Sequence, residues 1–165
     1  MKSFDYLKKY ALDKGINYFD TAPGYCGDQS EDIVGIALKQ MKRDSFYVST
    51  KKMPGHGKSK QEHFDFVKRS LERLNVDYID FFHIWCLREP SHYDEAFSSG
   101  QYDALLMAKE QGLIKNIVCS SHQSGSQIKD IVEDGKVEGV LMGINILNFP
   151  YRWDGVEACV NNNVG

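Results

Sequence analysis

No stretch of the 165-residue chain approaches the roughly 20 apolar residues needed for a membrane-spanning helix. Residues 1–7 contain no apolar core of the kind found in a secretory signal. A cytoplasmic protein with no membrane partner is therefore expected. Charge of one sign is scarce as well: 20 Lys+Arg stand against 23 Asp+Glu, a formal net charge of -3. No basic patch dominates, which argues against nucleic acid as the main partner. Cys26, Cys86, Cys119 and Cys159 form no Cys-x-x-Cys pair and no metal-finger spacing. They read as reduced, mostly buried thiols. No Gly-x-Gly-x-x-Gly follows a strand signal, so a Rossmann dinucleotide site has no support. Internal repeats, linkers and low-complexity segments are absent too. The remainder is one domain, with 42% hydrophobic residues to fill a single core.

Helix and strand signals alternate from one end to the other. Residues 4–14 predict a helix closed by Gly15. Ile16 to Asp20 predicts a strand, being short, β-branched and aromatic. Asp28 and Glu31 stand at capping-box spacing and predict a helix running to Met41. Ser45 to Thr50 predicts the next strand. Ser59 and Glu62 form a second capping box, and behind it Phe64, Val67, Leu71 and Leu74 share one helical face. Tyr78 to Trp85 is a long apolar run, as in a strand covered on both sides. A polar loop then leads to a helix from Tyr102 to Gln111. The remaining expectations are a strand at Lys115 to Ser120, a helix at Ser124 to Glu133, a strand at Val137 to Asn145 and a helix at Arg152 to Asn161. Such alternation implies an α/β fold with about five parallel strands and flanking helices.

Polar residues gather at the same end of successive strands. Asp20 closes the first, Lys51 follows the second, His83 and Trp85 end the third, and Ser120 and Ser121 close the fourth. In a β/α barrel this C-terminal face carries the active site. Tyr25 lies five residues past Asp20, in the turn Asp20-Thr21-Ala22-Pro23-Gly24-Tyr25. A phenol is a poor acid at neutral pH unless a neighbouring ammonium favours its phenolate. Lys51 is the candidate for that ammonium, and Asp20 for the group that orients it. Together they would make a proton donor suited to a carbonyl oxygen. An alternative use of Lys51 as a Schiff-base lysine is disfavoured, because a nearby carboxylate holds an amine in its charged form.

Several segments resemble the aldo/keto reductases. GINYFDTAPGY (15–25) is similar to that family's Gly-Ile-Asn-x-Phe-Asp-Thr-Ala-x-x-Tyr, and Ser49-Thr50-Lys51 to its strand ending in a catalytic lysine. SLERLNVDYIDFF (70–82) resembles its helix-to-strand signature, and GLIKNIV (112–118) and NILNFPYR (145–152) resemble later segments. The likeness runs in order over nearly the whole chain and implies a partial (β/α)8 TIM barrel. It implies that Tyr25 is the general acid, that Lys51 tunes it and that Asp20 pairs with Lys51. It also implies bound NADPH delivering hydride to a small-molecule carbonyl, with Ser120, Ser121 and Asp20 as cofactor-binding residues.

The departures are specific. The family's fourth catalytic residue, a histidine, aligns with Trp85, while His83 lies two residues earlier on the same strand face. Either His83 takes over through a local shift, or it is a core residue and Trp85 offers an indole N–H and an apolar wall. Ser121 stands for the family's asparagine and Leu141 for its glutamine. His122 could compensate as a nicotinamide contact. His56, His63 and His92 show no metal-ligand pattern, and no metal is expected. A full barrel runs to about 250 residues. By this alignment the chain holds strands two to six, so the segments that grip the cofactor phosphate are missing. An open sheet of this kind has exposed edges, and self-association is expected. A second function class stays open: a catalytically silent barrel fragment acting as an accessory or association module.

Overall fold

A strand that is apolar on both faces has to be covered on both, and alternating helices do this for a parallel sheet. The computed structural model describes residues 10–165 and has this architecture. Five strands lie in the order β1-β2-β3-β4-β5, all parallel. They are β1 (Tyr18–Asp20), β2 (Tyr47–Lys52), β3 (Ile79–Leu87), β4 (Ile114–Ser121) and β5 (Val140–Met142). The helices are α1 (Ser30–Leu38), α2 (Lys60–Leu74), α3 (Pro90–Ser98), α4 (Gln101–Glu110), α5 (Gly125–Glu133) and α6 (Phe149–Asn161). Sequential parallel pairing with a helix after each strand is a partial (β/α)8 barrel.

The two sheet faces differ in kind. Val48, Phe82, Ile84, Ile117 and Cys119 point outward into the main core, where they meet Phe64, Val67, Leu71 and Leu74 of α2. The inward face carries Ser49, Lys51, Phe81, His83 and Val118, with Lys51 level with His83 and His83 level with Val118. An alternation of period two therefore separates fold-building residues from candidate chemistry.

Local signals explain most boundaries. The Ser59 hydroxyl accepts from the Glu62 N–H at 3.2 Å and starts α2. Ser124 and Gln127 form a complete capping box on α5. Three expectations fail. Asp28 does not cap α1: the cap position is Gln29, with no side-chain bond. Asp28 instead sits at φ 68° with its carboxylate on Arg73, and Glu31 is buried with its carboxylate accepting from Thr50 at 2.6 Å. The polar stretch after β3 is largely helical, as α3, with Pro90 in its first turn. β5 is three residues long instead of nine. Of the helix expected over residues 4–14, only residues 10–14 fall among those described; 10–13 are helical, and Gly15 follows at φ 88°.

Candidate active site

Asp20 ends β1, level with Ser49, and Lys51 lies near the end of β2, two residues further up that neighbouring strand. Lys51 Nζ donates to Asp20 Oδ2 at 2.5 Å, and the Ser49 hydroxyl donates to Oδ1 at 2.5 Å. The Lys51 side chain is 3% exposed and that of Asp20 34% exposed. A buried ammonium thus leans on a carboxylate that still reaches solvent, an arrangement that keeps the charge tolerable.

Tyr25 comes from the turn after β1. Its carbonyl accepts from the N–H groups of Gln29 and Ser30, both at 3.2 Å. Beyond it Cys26, Gly27 and Asp28 have φ of 55°, 62° and 68°. Left-handed backbone at two non-glycine residues is uncommon and costs conformational energy. This coil returns Tyr25 to the sheet mouth, where Lys51 Nζ lies 5.1 Å from its ring centroid. Trp85 completes the group: its ring meets Tyr25 edge to face at 5.6 Å, with Lys51 Nζ 6.0 Å from the indole. The structure therefore brings Asp20, Tyr25, Lys51 and Trp85 together.

His83 lies deeper. It is 3% exposed, its Nε2 is 3.5 Å from the Tyr18 hydroxyl and its Nδ1 is buried without a hydrogen-bond partner. Burial, reinforced by the Lys51 charge and opposed by Asp20, pushes its pKa down to about 4. It is a neutral imidazole packed inside the sheet's curve, on the same inward face as Trp85 but below Tyr25.

Ser120 and Ser121 end β4, beside a bulge. Cys86, at φ 63°, is the extra residue on β3, and its N–H donates to the Ser120 hydroxyl at 2.9 Å. Among the described residues, the Ser120 hydroxyl has no acceptor for its own proton. The Ser121 hydroxyl is committed to local backbone, donating to the Leu87 carbonyl and accepting from the Gln123 N–H. Leu141, level with Ser120 on β5, is half exposed and offers no polar group. The fit to a nicotinamide is thus partial: one free hydroxyl, one committed hydroxyl and one apolar side chain. His122 is exposed, and no His/Cys/Asp/Glu group suited to a metal occurs among the described residues.

Two buried basic residues, one at the site and one behind it, were not singled out in the sequence. Arg152 of α6 is buried, and its guanidinium donates to the carbonyls of Ser121, His122 and Gln123. It fixes the loop that follows Ser120. No periodicity marks it, because a buried arginine in an amphipathic helix looks like a surface one. Lys52, on the opposite sheet face from Lys51, is buried with Nζ 2.7 Å from His63 Nδ1. Burial, then Arg69, brings the Lys52 pKa down to about 8; burial, then Lys52, brings that of His63 down to about 4.

The chain is similar to known proteins in sequence and fold. The chain is 43% identical over 79 residues to L-galactose dehydrogenase of Arabidopsis thaliana, covering 42% of this chain and 23% of that protein. The holo form of the aldo-keto reductase AKR11C1 from Bacillus halodurans superposes with a TM-score of 0.78 at 27% identity, over 98% of this chain and 54% of that one. The Bombyx mori aldo-keto reductase AKR2E4, solved in complex with NADP, shares the fold with a TM-score of 0.70 at 20% identity, over 98% of this chain and 55% of that one. The chain thus spans between about a quarter and somewhat over half of the length of these relatives. The sequence model of the Aldo/keto reductase family matches residues 2–165, and the chain belongs to that family.

Proposed function

We propose that Asp20, Lys51 and Tyr25 form the proton-delivering centre of a carbonyl reductase, acting in the protein of which this chain carries the central strands. The observation that carries this reading is the buried Lys51–Asp20 pair at 2.5 Å, set beside the Tyr25 ring at the C-terminal end of the sheet. Tyr25 gives its hydroxyl proton to the carbonyl oxygen of an aldehyde or ketone. The negative charge left on the phenol oxygen is met by the Lys51 ammonium, already fixed by Asp20 and so needing little reorganisation. Ser120 offers its free hydroxyl proton to the carboxamide of a nicotinamide. A reduced nicotinamide nucleotide, taken here as NADPH, supplies the hydride when bound. The cysteines form no disulfide, which suits the reducing cytoplasm.

The second reading, a silent accessory module, is favoured by Leu141 and by the committed Ser121 hydroxyl, both of which weaken the grip on nicotinamide. A fluorescence titration of the purified chain with NADPH separates the two. The reductase reading expects saturation, with Tyr25→Phe and Lys51→Met keeping cofactor binding while losing turnover of a test aldehyde. Absence of binding up to about 1 mM, equivalent to roughly 4 kcal/mol, in a folded sample would mean that this chain does not hold the cofactor by itself and is not an enzyme on its own, which favours the accessory reading for it.

A further inference from the structure

Away from the sheet mouth, α3 and α5 flank a cleft of about 570 Å³ on the outer surface. Its walls carry Tyr93, Asp94 and Phe97 from α3 and Asp130 from α5, with Asp134 and Lys136 just beyond α5. Gln123, directly before the α5 cap, lies at the opposite end from Lys136.

Three observations point to a ligand. First, Asp94 and Asp130 are exposed and belong to no ion pair among the described residues, whereas Asp134 is tied to Lys136 at 2.8 Å. Two carboxylates therefore face the cleft uncompensated. Second, the aromatic wall suits a cation, as the chain's own Lys136 beside it shows. Tyr93 and Phe97 meet edge to face at 5.0 Å, and Lys136 Nζ lies 4.8 Å from the Phe97 ring centroid. The Tyr93 hydroxyl is held by Asp134 at 2.9 Å, so this wall is fixed in place. Third, Gln123 is 2% exposed and its amide nitrogen has no hydrogen-bond partner. A buried donor left unpaired is unfavourable, and a ligand carbonyl relieves it.

A bare cation answers the first two observations and not the third. A cationic side chain with a carbonyl nearby on the same molecule answers all three. We propose that this cleft binds an arginine- or lysine-bearing peptide segment of a partner protein. The side-chain cation faces Asp94 and Asp130 against the Tyr93–Phe97 wall, and a peptide carbonyl accepts from the Gln123 amide. Arginine is the better fit, since its planar guanidinium stacks on rings and pairs with carboxylates at once. The cleft also has a physical link to the sheet mouth, because the Gln123 carbonyl accepts from Arg152 and its N–H donates to the Ser121 hydroxyl.

The test is calorimetric titration of the 165-residue chain with acetyl-Ala-Arg-Ala-amide, beside acetyl-Ala-Glu-Ala-amide and spermidine. The arginine peptide should saturate at about millimolar concentration, as expected for one anchoring residue, and weaken as salt rises. Asp94→Asn with Asp130→Asn should raise its dissociation constant about tenfold or more, and Gln123→Leu about threefold, while circular dichroism stays unchanged. The glutamate peptide should not bind. No saturation by about 20 mM arginine peptide in a folded sample overturns the proposal, as does binding that ignores the paired aspartate change. Spermidine binding as tightly as the peptide, with Gln123→Leu silent, overturns the peptide assignment and leaves a site for free polyamines.

Discussion

The two partners of the Lys51–Asp20 pair are unequal when one is removed. Taking away Asp20 leaves an ammonium that is 3% exposed with no carboxylate. Taking away Lys51 leaves a carboxylate that is 34% exposed and still bonded to Ser49. Asp20→Ala is therefore expected to cost about 2–3 kcal/mol of unfolding free energy and Lys51→Met less than about 1 kcal/mol. Urea denaturation measures both, and equal costs would mean that the ammonium finds another partner. The buried histidines set the acid limb. His83 and His63 have folded pKa values pushed down to about 4 from an ordinary 6.5, chiefly by burial. Their contribution to stability is fully present above about 6.5 and is lost as pH falls through about 4, where the unfolded chain binds protons that the folded one refuses. His83→Gln should flatten the decline of stability between pH 6.5 and 4 by up to about 3 kcal/mol. An unchanged slope would put the relevant ionisation elsewhere. Lys52 acts on the other limb. With its pKa lowered to about 8, its burial penalty is complete below that pH and is lifted toward 10.5, so stability rises over that interval.

Among the elements, close approach decides which substitutions matter. Alanine normally improves a helical glycine by about 1 kcal/mol. At Gly35 of α1 an added Cβ would fall 2.2 Å from the Arg73 carbonyl oxygen at the end of α2, and backbone cannot step aside. Gly155 of α6 would meet Cγ2 of Ile128 at 2.8 Å and its Cβ at 3.0 Å, a smaller overlap, though against a stiff β-branched side chain. Gly35→Ala should thus destabilise by about 2 kcal/mol or more, and Gly155→Ala by less; reversed midpoints in urea would refute this reading of the packing. The same contrast between local and distant causes governs what the sequence made legible. The strands appear where apolar runs end in turn residues, and α2 and α5 where capping residues precede an amphipathic face. α3 escaped notice because Ala96 is its one fully buried residue, too little to print a period. Asp28 failed as a cap because a distant arginine, Arg73, claims it. At the sheet mouth, the strand-end positions of Asp20, Lys51 and Trp85 were readable, since the parallel fold brings strand ends together. The edge-to-face contact of Tyr25 with Trp85 was not, because the coil from Cys26 to Asp28 places it.

For the whole molecule, the exposed inward face is the dominant feature. Tyr18, Tyr47 and Leu141 face the sheet's hollow and are 42%, 50% and 50% exposed, and Ile146 and Leu147 beyond β5 are 88% and 90% exposed. Apolar surface of this kind next to open strand edges favours association. Sedimentation velocity should show concentration-dependent oligomers, reduced when Leu141 is changed to Lys. A sharp monomer with cooperative unfolding at all concentrations would count against this. The spatial order of the strands equals their order in the chain, so each new strand and helix finds its neighbour already made. Sheet growth during synthesis can then proceed like the addition of links to a filament, each strand pairing with the one made just before it. The same order makes the sheet mechanically serial: tension on the two chain ends draws strands away from the edges one after another, and each loss leaves a smaller version of the same sheet.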